Sequence, residues 1–336
     1  MNLIKPYQAR DQRYKTKNFY KRCGKSGIKL PKVSLGLWHN FGKNDDLQNQ
    51  KKLIQTAFDN GITHFDLANN YGPPPGSAET NFGKILRDDL SAYRDELILS
   101  TKAGYGMWEG PYGDFGSRKY LIASCDQSLK RMNLDYVDIF YHHRPDPDTP
   151  LEETMSALDH LVKSGKALYI GISNYSETEA LKAIRILEGL GTPCLIHQLR
   201  YNMLDAKPQK DVLPSLFQAG VGSIVYSPLA QGLLSNRYRN AIPKGSRAER
   251  KDSPFLSHHE VETHQSIIHN LTILSEKRGQ TLAQLALAWC LRLESVTSVL
   301  IGVSTTEQIK ENLKACDHTD FTEEELHEIS RICQKD

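Results

Sequence analysis

The chain has no paired-cysteine motif. Its six cysteines, Cys23, Cys125, Cys194, Cys290, Cys316 and Cys333, are scattered without a C-x-x-C spacing. That pattern excludes a zinc knuckle or disulfide frame and fits reduced thiols. No run of about 18 apolar residues occurs, so no membrane span is expected. Neither sign of charge dominates: 42 Lys and Arg stand against 40 Asp and Glu, a net of +2. This balance points away from nucleic acid or an anionic membrane as partner. The opening stretch MNLIKPYQARDQRYKTKNFYKRCG is polar, which argues against a signal peptide. Low-complexity tracts, linkers and internal repeats are missing too. The expectation is a cytoplasmic globular protein.

What is present is an alternation of short β-rich runs with longer helical segments, the pattern of βαβ units and a parallel sheet. Strands are predicted at 33–38, 63–68, 97–103, 136–143, 167–173, 195–201, 222–229 and 298–303. Between them lie segments such as DLQNQKKLIQTAFDNG, with Gly61 as C-cap, and SRKYLIASCDQSLKRMN, with Ser117 as N-cap. A doubly wound sheet would carry G-x-G-x-x-G after its first strand, and LGLWHNFG is not that. Eight strands with intervening helices predict an α/β fold, a (β/α)8 TIM barrel. The chain exceeds the usual length of about 250 residues. The excess is assigned to an N-terminal extension over 1–32, a long excursion after strand seven at 230–262, and an additional C-terminal helix within 321–336. The barrel itself takes 33–320, and the whole of 1–336 reads as a single domain.

In such a barrel the chemistry gathers where strands end. Those ends carry Trp38, Asp66, Lys102, His143, Ser173, Asn174, Gln198, Tyr226, Ser227, Gly302 and Ser304. A lone strand-end Asp is commonly a turn former or cap. An interior lysine is harder to dismiss, because it needs a partner, and Asp66 is available to Lys102. His142 and His143 are adjacent, so alternation sends them to opposite faces, one toward the barrel mouth and one under the helices. Tyr71 follows Asp66 by five positions, in FDLANNYGPPPGSAE. A phenol ordinarily titrates near 10, and a neighbouring ammonium is expected to lower it. Tyr71 then becomes a proton donor to an oxygen gaining negative charge, with a histidine orienting that oxygen. The group contains no nucleophile and no metal set. It suits carbonyl reduction if a cofactor supplies hydride.

The segments FDLANNYG, STKAG, YVDIFYHHRPD, GISNYS and IGVSTTEQIKENL, in this order from about residue 20 onward, resemble the aldo-keto reductases. Within that family the chain resembles the branch that holds the potassium channel β subunits and the bacterial L-glyceraldehyde 3-phosphate reductases, and SGIKLPKVSLGLWHNFG, HHRPDPDTPLEETMSAL and YSPLAQGLLSNRY are most similar to the bacterial reductases. The resemblance implies Asp66, Tyr71, Lys102 and His143 as catalytic residues. The channel subunits carry asparagine where this chain has His143, so the histidine favours an active reductase. The resemblance further implies NADP(H), with Ser173, Asn174 and Gln198 on the carboxamide and Tyr226 stacked on the nicotinamide. Trp38 and Asp66 would lie near the nicotinamide. Ser227, Leu229, Gln231, Gly232 and Arg237 would lie along the pyrophosphate, and Gly302, Ser304, Gln308, Glu311 and Asn312 at the adenosine end. Arg247 would clamp the 2′-phosphate. Many members carry a lysine and an arginine near the strand-eight serine, where this chain has Val303 and Gln308, a feature shared by the channel-type branch. Trp38, Tyr71, His143 and Trp108 are the implied substrate contacts, and Arg144 is a further candidate for a substrate phosphate.

The expected function is therefore NADPH-dependent reduction of small aldehydes and ketones, among them L-glyceraldehyde 3-phosphate and methylglyoxal. The alternative is an NADP(H)-binding, redox-sensing regulatory subunit of a membrane partner. Relatives of the branch imply a homo-oligomer, a tetramer or octamer.

Overall fold

Residues 7–334 are described by the computed structural model, apart from 240, 245, 247 and 250–255. A two-stranded antiparallel hairpin comes first, β1 (Tyr20–Arg22) and β2 (Lys29–Pro31). It precedes β3 (Val33–Gly36), α1 (Leu47–Asp59), β4 (His64–Asp66), α2 (Ser77–Ile85), β5 (Ile98–Ala103) and α3 (Arg118–Met132). There follow β6 (Val137–His142), α4 (Leu151–Lys163), β7 (Ala167–Ser173), α5 (Glu177–Gly189), β8 (Ile196–Arg200), α6 (Val212–Ala219) and β9 (Gly222–Tyr226). The last elements are α7 (His258–Thr263), α8 (Gln265–Lys277), α9 (Leu282–Leu291), β10 (Ser298–Ile301), α10 (Thr306–Leu313) and α11 (Glu323–Cys333).

Strands β3 to β10 close into a parallel barrel in chain order, with β10 pairing β3 on one side and β9 on the other. This is the predicted TIM barrel, with the hairpin as N-terminal extension and α11 as the extra C-terminal helix. The ladders end sooner than the apolar runs suggested. β3 stops at Gly36 and β9 at Tyr226, where the sequence pattern reached Trp38 and Leu229. The reason is local: past the last paired residue the chain keeps single bonds to its neighbour, such as Leu37 N–H to the Asp66 carbonyl at 2.9 Å and Asn69 N–H to the Lys102 carbonyl at 2.9 Å. Burial continues although the ladder does not.

The hairpin had no sequence signal beyond its position. It lies against one end of the barrel: Lys25 N–H donates to the Gly220 carbonyl, and Cys23 and Leu30 join Ile139, Tyr141, Leu195 and Ile224 in a small buried cluster. The helices begin where short polar side chains cap them. Asp46 and Ser117 accept from the first-turn amides of α1 and α3, and α5, α9 and α11 open on capping boxes. Gly61 sits one residue beyond the α1 cap, Asn60, with a left-handed φ of 85°. α9 is buried along its whole length, the mark of a helix covered on all sides. α11 buries Ile329 and Ile332 and is tied to the end of α8 by Arg278–Glu325 at 2.6 Å.

Candidate active site

Asp66 ends β4 opposite Ser100 of β5, and Lys102, two residues further along β5 on the same face, reaches Asp66 inside the barrel. Lys102 Nζ donates to Asp66 Oδ2 at 2.6 Å and to the Leu67 carbonyl at 2.5 Å, and both side chains are fully buried. The other carboxylate oxygen accepts from Ser100 Oγ at 2.6 Å and Gln198 Nε2 at 3.2 Å. A buried ion pair is stable only when its remaining polar atoms are satisfied in this way. Burial pulls the Lys102 ammonium down from its ordinary value, and Asp66 opposes that shift.

Tyr71 lies in the loop after β4 with only 8% of its surface exposed. Lys102 Nζ is 4.9 Å from its ring centroid. The phenol differs from expectation in one respect: burial pushes it well above its ordinary 10.0, and the Asp66 charge adds to the rise. Desolvation of a phenolate inside the barrel outweighs the neighbouring ammonium, whose own charge is matched by Asp66. Tyr71 is therefore a fully protonated phenol at neutral pH.

His143 follows directly on β6. Its ring meets Tyr105 edge-on at 4.7 Å and lies 6.0 Å from the Tyr71 ring. Burial, with the positive charge of Lys102, holds it well below 6.5, so it is neutral, and its Nδ1 is buried without a partner among the described residues. His142 points the other way, as alternation requires, and its Nδ1 bonds the Tyr175 hydroxyl at 2.6 Å. Trp38 stacks near Tyr71 with centroids 6.0 Å apart.

Across the mouth, Ser173 ends β7 and pairs with Gln198 on β8. Ser173 Oγ is buried with no partner among the described residues. Asn174, at a left-handed φ of 63°, donates to the His143 carbonyl at 2.9 Å and accepts from the Tyr226 hydroxyl at 2.8 Å. The loop after β9 is left-handed at Ser227 (51°), Ala230 (44°) and Gln231 (61°), with Gly232 at 103°. Such non-glycine residues are uncommon, and strain of this kind clusters at ligand clamps. Leu229 is half-buried and Arg237 exposed in the same segment. Thr305 caps α10 directly beyond β10, where Ser304 N–H bonds the Gln308 side chain at 2.8 Å. Gly302 and Ser304 are exposed, Glu311 is half-buried and Asn312 buried. Arg247 lies outside the described residues.

These residues fit a nicotinamide dinucleotide. An unpartnered buried hydroxyl, an amide-bearing residue and a half-buried tyrosine meet beside the Lys102–Asp66 pair, and a left-handed loop and a helix N-terminus adjoin them. Trp108 and Arg144 have partners of their own within the protein. Trp108 packs on Tyr120 at 5.1 Å, and the Tyr120 hydroxyl holds the Tyr105 carbonyl, so the tryptophan anchors its own loop. Arg144 is held between Tyr105 and Phe115 and bonds both oxygens of Asp114, at 2.9 and 3.0 Å. Its charge is already matched. Sequence reasoning missed Ser100 and His64. The signal was there: each is polar and stands two residues before a site residue, on the same strand face.

The Aldo/keto reductase family profile matches residues 32–334. The chain is 55% identical over 316 residues to L-glyceraldehyde 3-phosphate reductase of Escherichia coli O157:H7, covering 93% of this chain and 91% of that protein. It is 37% identical to a probable voltage-gated potassium channel subunit beta of Arabidopsis thaliana, covering 89% and 91%. In three dimensions it is similar to the thermostable aldo-keto reductase Tm1743 solved with the inhibitor epalrestat, with a TM-score of 0.72, 29% identity and coverage of 93% of this chain and 99% of that one. Barrel, mouth and similarity agree: the chain belongs to the aldo/keto reductase family, and it is an enzyme that reduces small carbonyl compounds with NADP(H).

Proposed function

We propose that Tyr71, Lys102, Asp66 and His143 carry the reduction, and that short aldehydes, L-glyceraldehyde 3-phosphate and methylglyoxal among them, are the substrates. NADPH, when bound, supplies the hydride to the carbonyl carbon. The chain's own residues do the rest. Tyr71 gives its phenolic proton to the carbonyl oxygen, so hydride and proton together make the alcohol. Lys102 faces the phenolate as it forms and offsets its charge in a buried site. Asp66 fixes the lysine, and neutral His143 orients the carbonyl. The observation that carries this reading is the buried 2.6 Å Lys102–Asp66 pair beside the Tyr71 ring.

Ser173, Asn174, Gln198 and Tyr226 would hold the nicotinamide, and Ser227, Leu229, Gln231, Gly232 and Arg237 the pyrophosphate. Gly302, Ser304, Gln308, Glu311 and Asn312 would take the adenosine end. The phosphorylated substrate rests on the named function of the bacterial relative, since Arg144 is already paired. NADPH consumption against phosphorylated and unphosphorylated trioses tests it: a lower KM for the phosphorylated aldehyde is expected, and equal KM values remove that preference. Tyr71→Phe is expected to lower kcat by about 10²- to 10⁴-fold, and retention of most turnover would reassign the acid. Rapid multiple turnover would set aside the regulatory-subunit reading. Residues 1–336 acting as one domain, a cytoplasmic location and a tetrameric or octameric state complete the proposal, the last to be read by light scattering.

A further inference from the structure

Beneath the Lys102–Asp66 pair the barrel interior holds four more polar side chains in a line. Ser298 Oγ lies 2.7 Å from Ser34 Oγ, and Ser34 Oγ lies 2.9 Å from His64 Nδ1. His64 Nε2 lies 3.0 Å from Ser100 Oγ, which donates to Asp66 Oδ1 at 2.6 Å. All of these side chains belong to fully buried residues. They come from β10, β3, β4 and β5, so closure of the barrel assembles the line.

The direction of every proton in the line follows from its last member. A carboxylate only accepts, so the Ser100 hydrogen points at Asp66. Ser100 can then only accept from His64, which puts the imidazole hydrogen on Nε2. Nδ1 of a neutral imidazole is an acceptor, so Ser34 donates to it, and Ser34 in turn accepts from Ser298. Neutrality follows from the surroundings, since burial holds His64 down to about 4. The result is a row of aligned dipoles whose positive ends face the carboxylate.

We propose that Ser100 and His64, backed by Ser34, are positioning residues for the reduction: the one-way donor chain keeps Asp66 oriented, so that Asp66 holds Lys102 against Tyr71. The inference rests on the catalytic reading of Asp66 and Lys102 given above. Polarisation along such a chain strengthens each bond, and the effect is greatest at the link that touches the carboxylate. Loss of Ser100 removes a donor from an ion, whereas loss of Ser298 removes only the far end of the row.

Two measurements test this. Nitrogen-15 NMR of the His64 ring in the intact protein, assigned through its backbone, is expected to show the Nε2–H tautomer at neutral pH. A Nδ1–H or protonated ring would overturn the chain. Steady-state kinetics then compare Ser100→Ala, Ser298→Ala and Lys102→Met. Ser100→Ala is expected to lower kcat about tenfold at unchanged KM, the size of a hydrogen bond to a charged group. Ser298→Ala should change kcat less than about twofold. A plain packing role would destabilise both serine variants alike and leave kcat alone, and that result would overturn the inference. If Lys102→Met itself retains turnover, the catalytic reading fails, which is a separate outcome from Ser100→Ala being silent while Lys102→Met is inactive. The NMR reading needs no variant to fold.

Discussion

On the β3–β5 side of the mouth, Asp66 receives donors from Ser100, Lys102 and Gln198, and Lys102 finds acceptors in Asp66 and the Leu67 carbonyl. On the β7–β9 side, Ser173 Oγ is buried without a partner among the described residues, and the backbone is left-handed at Ser227, Ala230 and Gln231. On the first side the ion pair is satisfied by the protein itself. The other has the character of a surface that a ligand completes. The division suits a reductase whose hydride comes from a molecule that enters and leaves, while its proton-handling groups stay fixed.

The sharpest way to break this comparison is to unbalance the completed side. Asp66→Asn leaves a buried ammonium facing an amide, and the loss of one partner from a buried pair costs about 3–5 kcal/mol. A large fall in the urea midpoint is expected together with a fall in kcat of about 10²-fold or more. Lys102→Met, which exchanges the charge for an apolar chain of similar length, should lose comparable turnover. A variant that kept both stability and kcat would show that the pair is incidental.

The next effect comes from the buried imidazoles. Burial lowers His64 and His142 from 6.5 to about 4 and His197 to about 3. Between those values and 6.5 the unfolded chain binds protons that the folded chain refuses, so stability rises with pH across that window and is lost as pH falls through it. Each histidine contributes a slope of about 1.4 kcal/mol per pH unit where it is fully in effect. Urea midpoints measured from neutral pH down toward 4 should fall steadily, and His197→Gln should make the descent shallower. A flat profile would mean that these rings are hydrated or charged when folded.

The smallest expected effect lies on the ligand-completed side. Ser173→Ala removes a buried hydroxyl that has no partner in the described protein, so stability should hold or rise slightly. NADPH affinity, read by fluorescence titration, should weaken by about threefold to tenfold, one neutral hydrogen bond. Loss of stability with unchanged affinity would reverse the contrast between the two sides.

Much of this was legible beforehand because alternation along a strand fixes which side chains share a face. Asp66 and Lys102 stood out as ions in apolar runs, and His142 and His143 had to part company. The Ser117 cap and the closing helix followed from local pattern. Other features depend on contacts between distant segments. The hairpin of β1 and β2 is defined by what it covers, not by its own six residues. The rise in the Tyr71 phenol depends on how deeply the loop packs, and the pairing of Arg144 with Asp114 depends on a fold-back across thirty residues. Ser34 and Ser298 are ordinary serines until the barrel closes.

One consequence of β5 concerns insertions and deletions. Thr101 and Lys102 are neighbours that face opposite sides: Lys102 serves Asp66 inside the barrel, while Thr101 bonds the buried Glu79, which Arg131 also holds at 2.6 Å from α3. A single inserted or deleted residue before Thr101 would exchange these faces, presenting a lysine to Arg131 and a threonine to Asp66. Point changes in β5 can be graded in severity, but a shift of frame by one position breaks the Lys102–Asp66 pair and the Thr101–Glu79 hydrogen bond at once. Lineages of this enzyme should therefore vary β5 by substitution and keep its length constant.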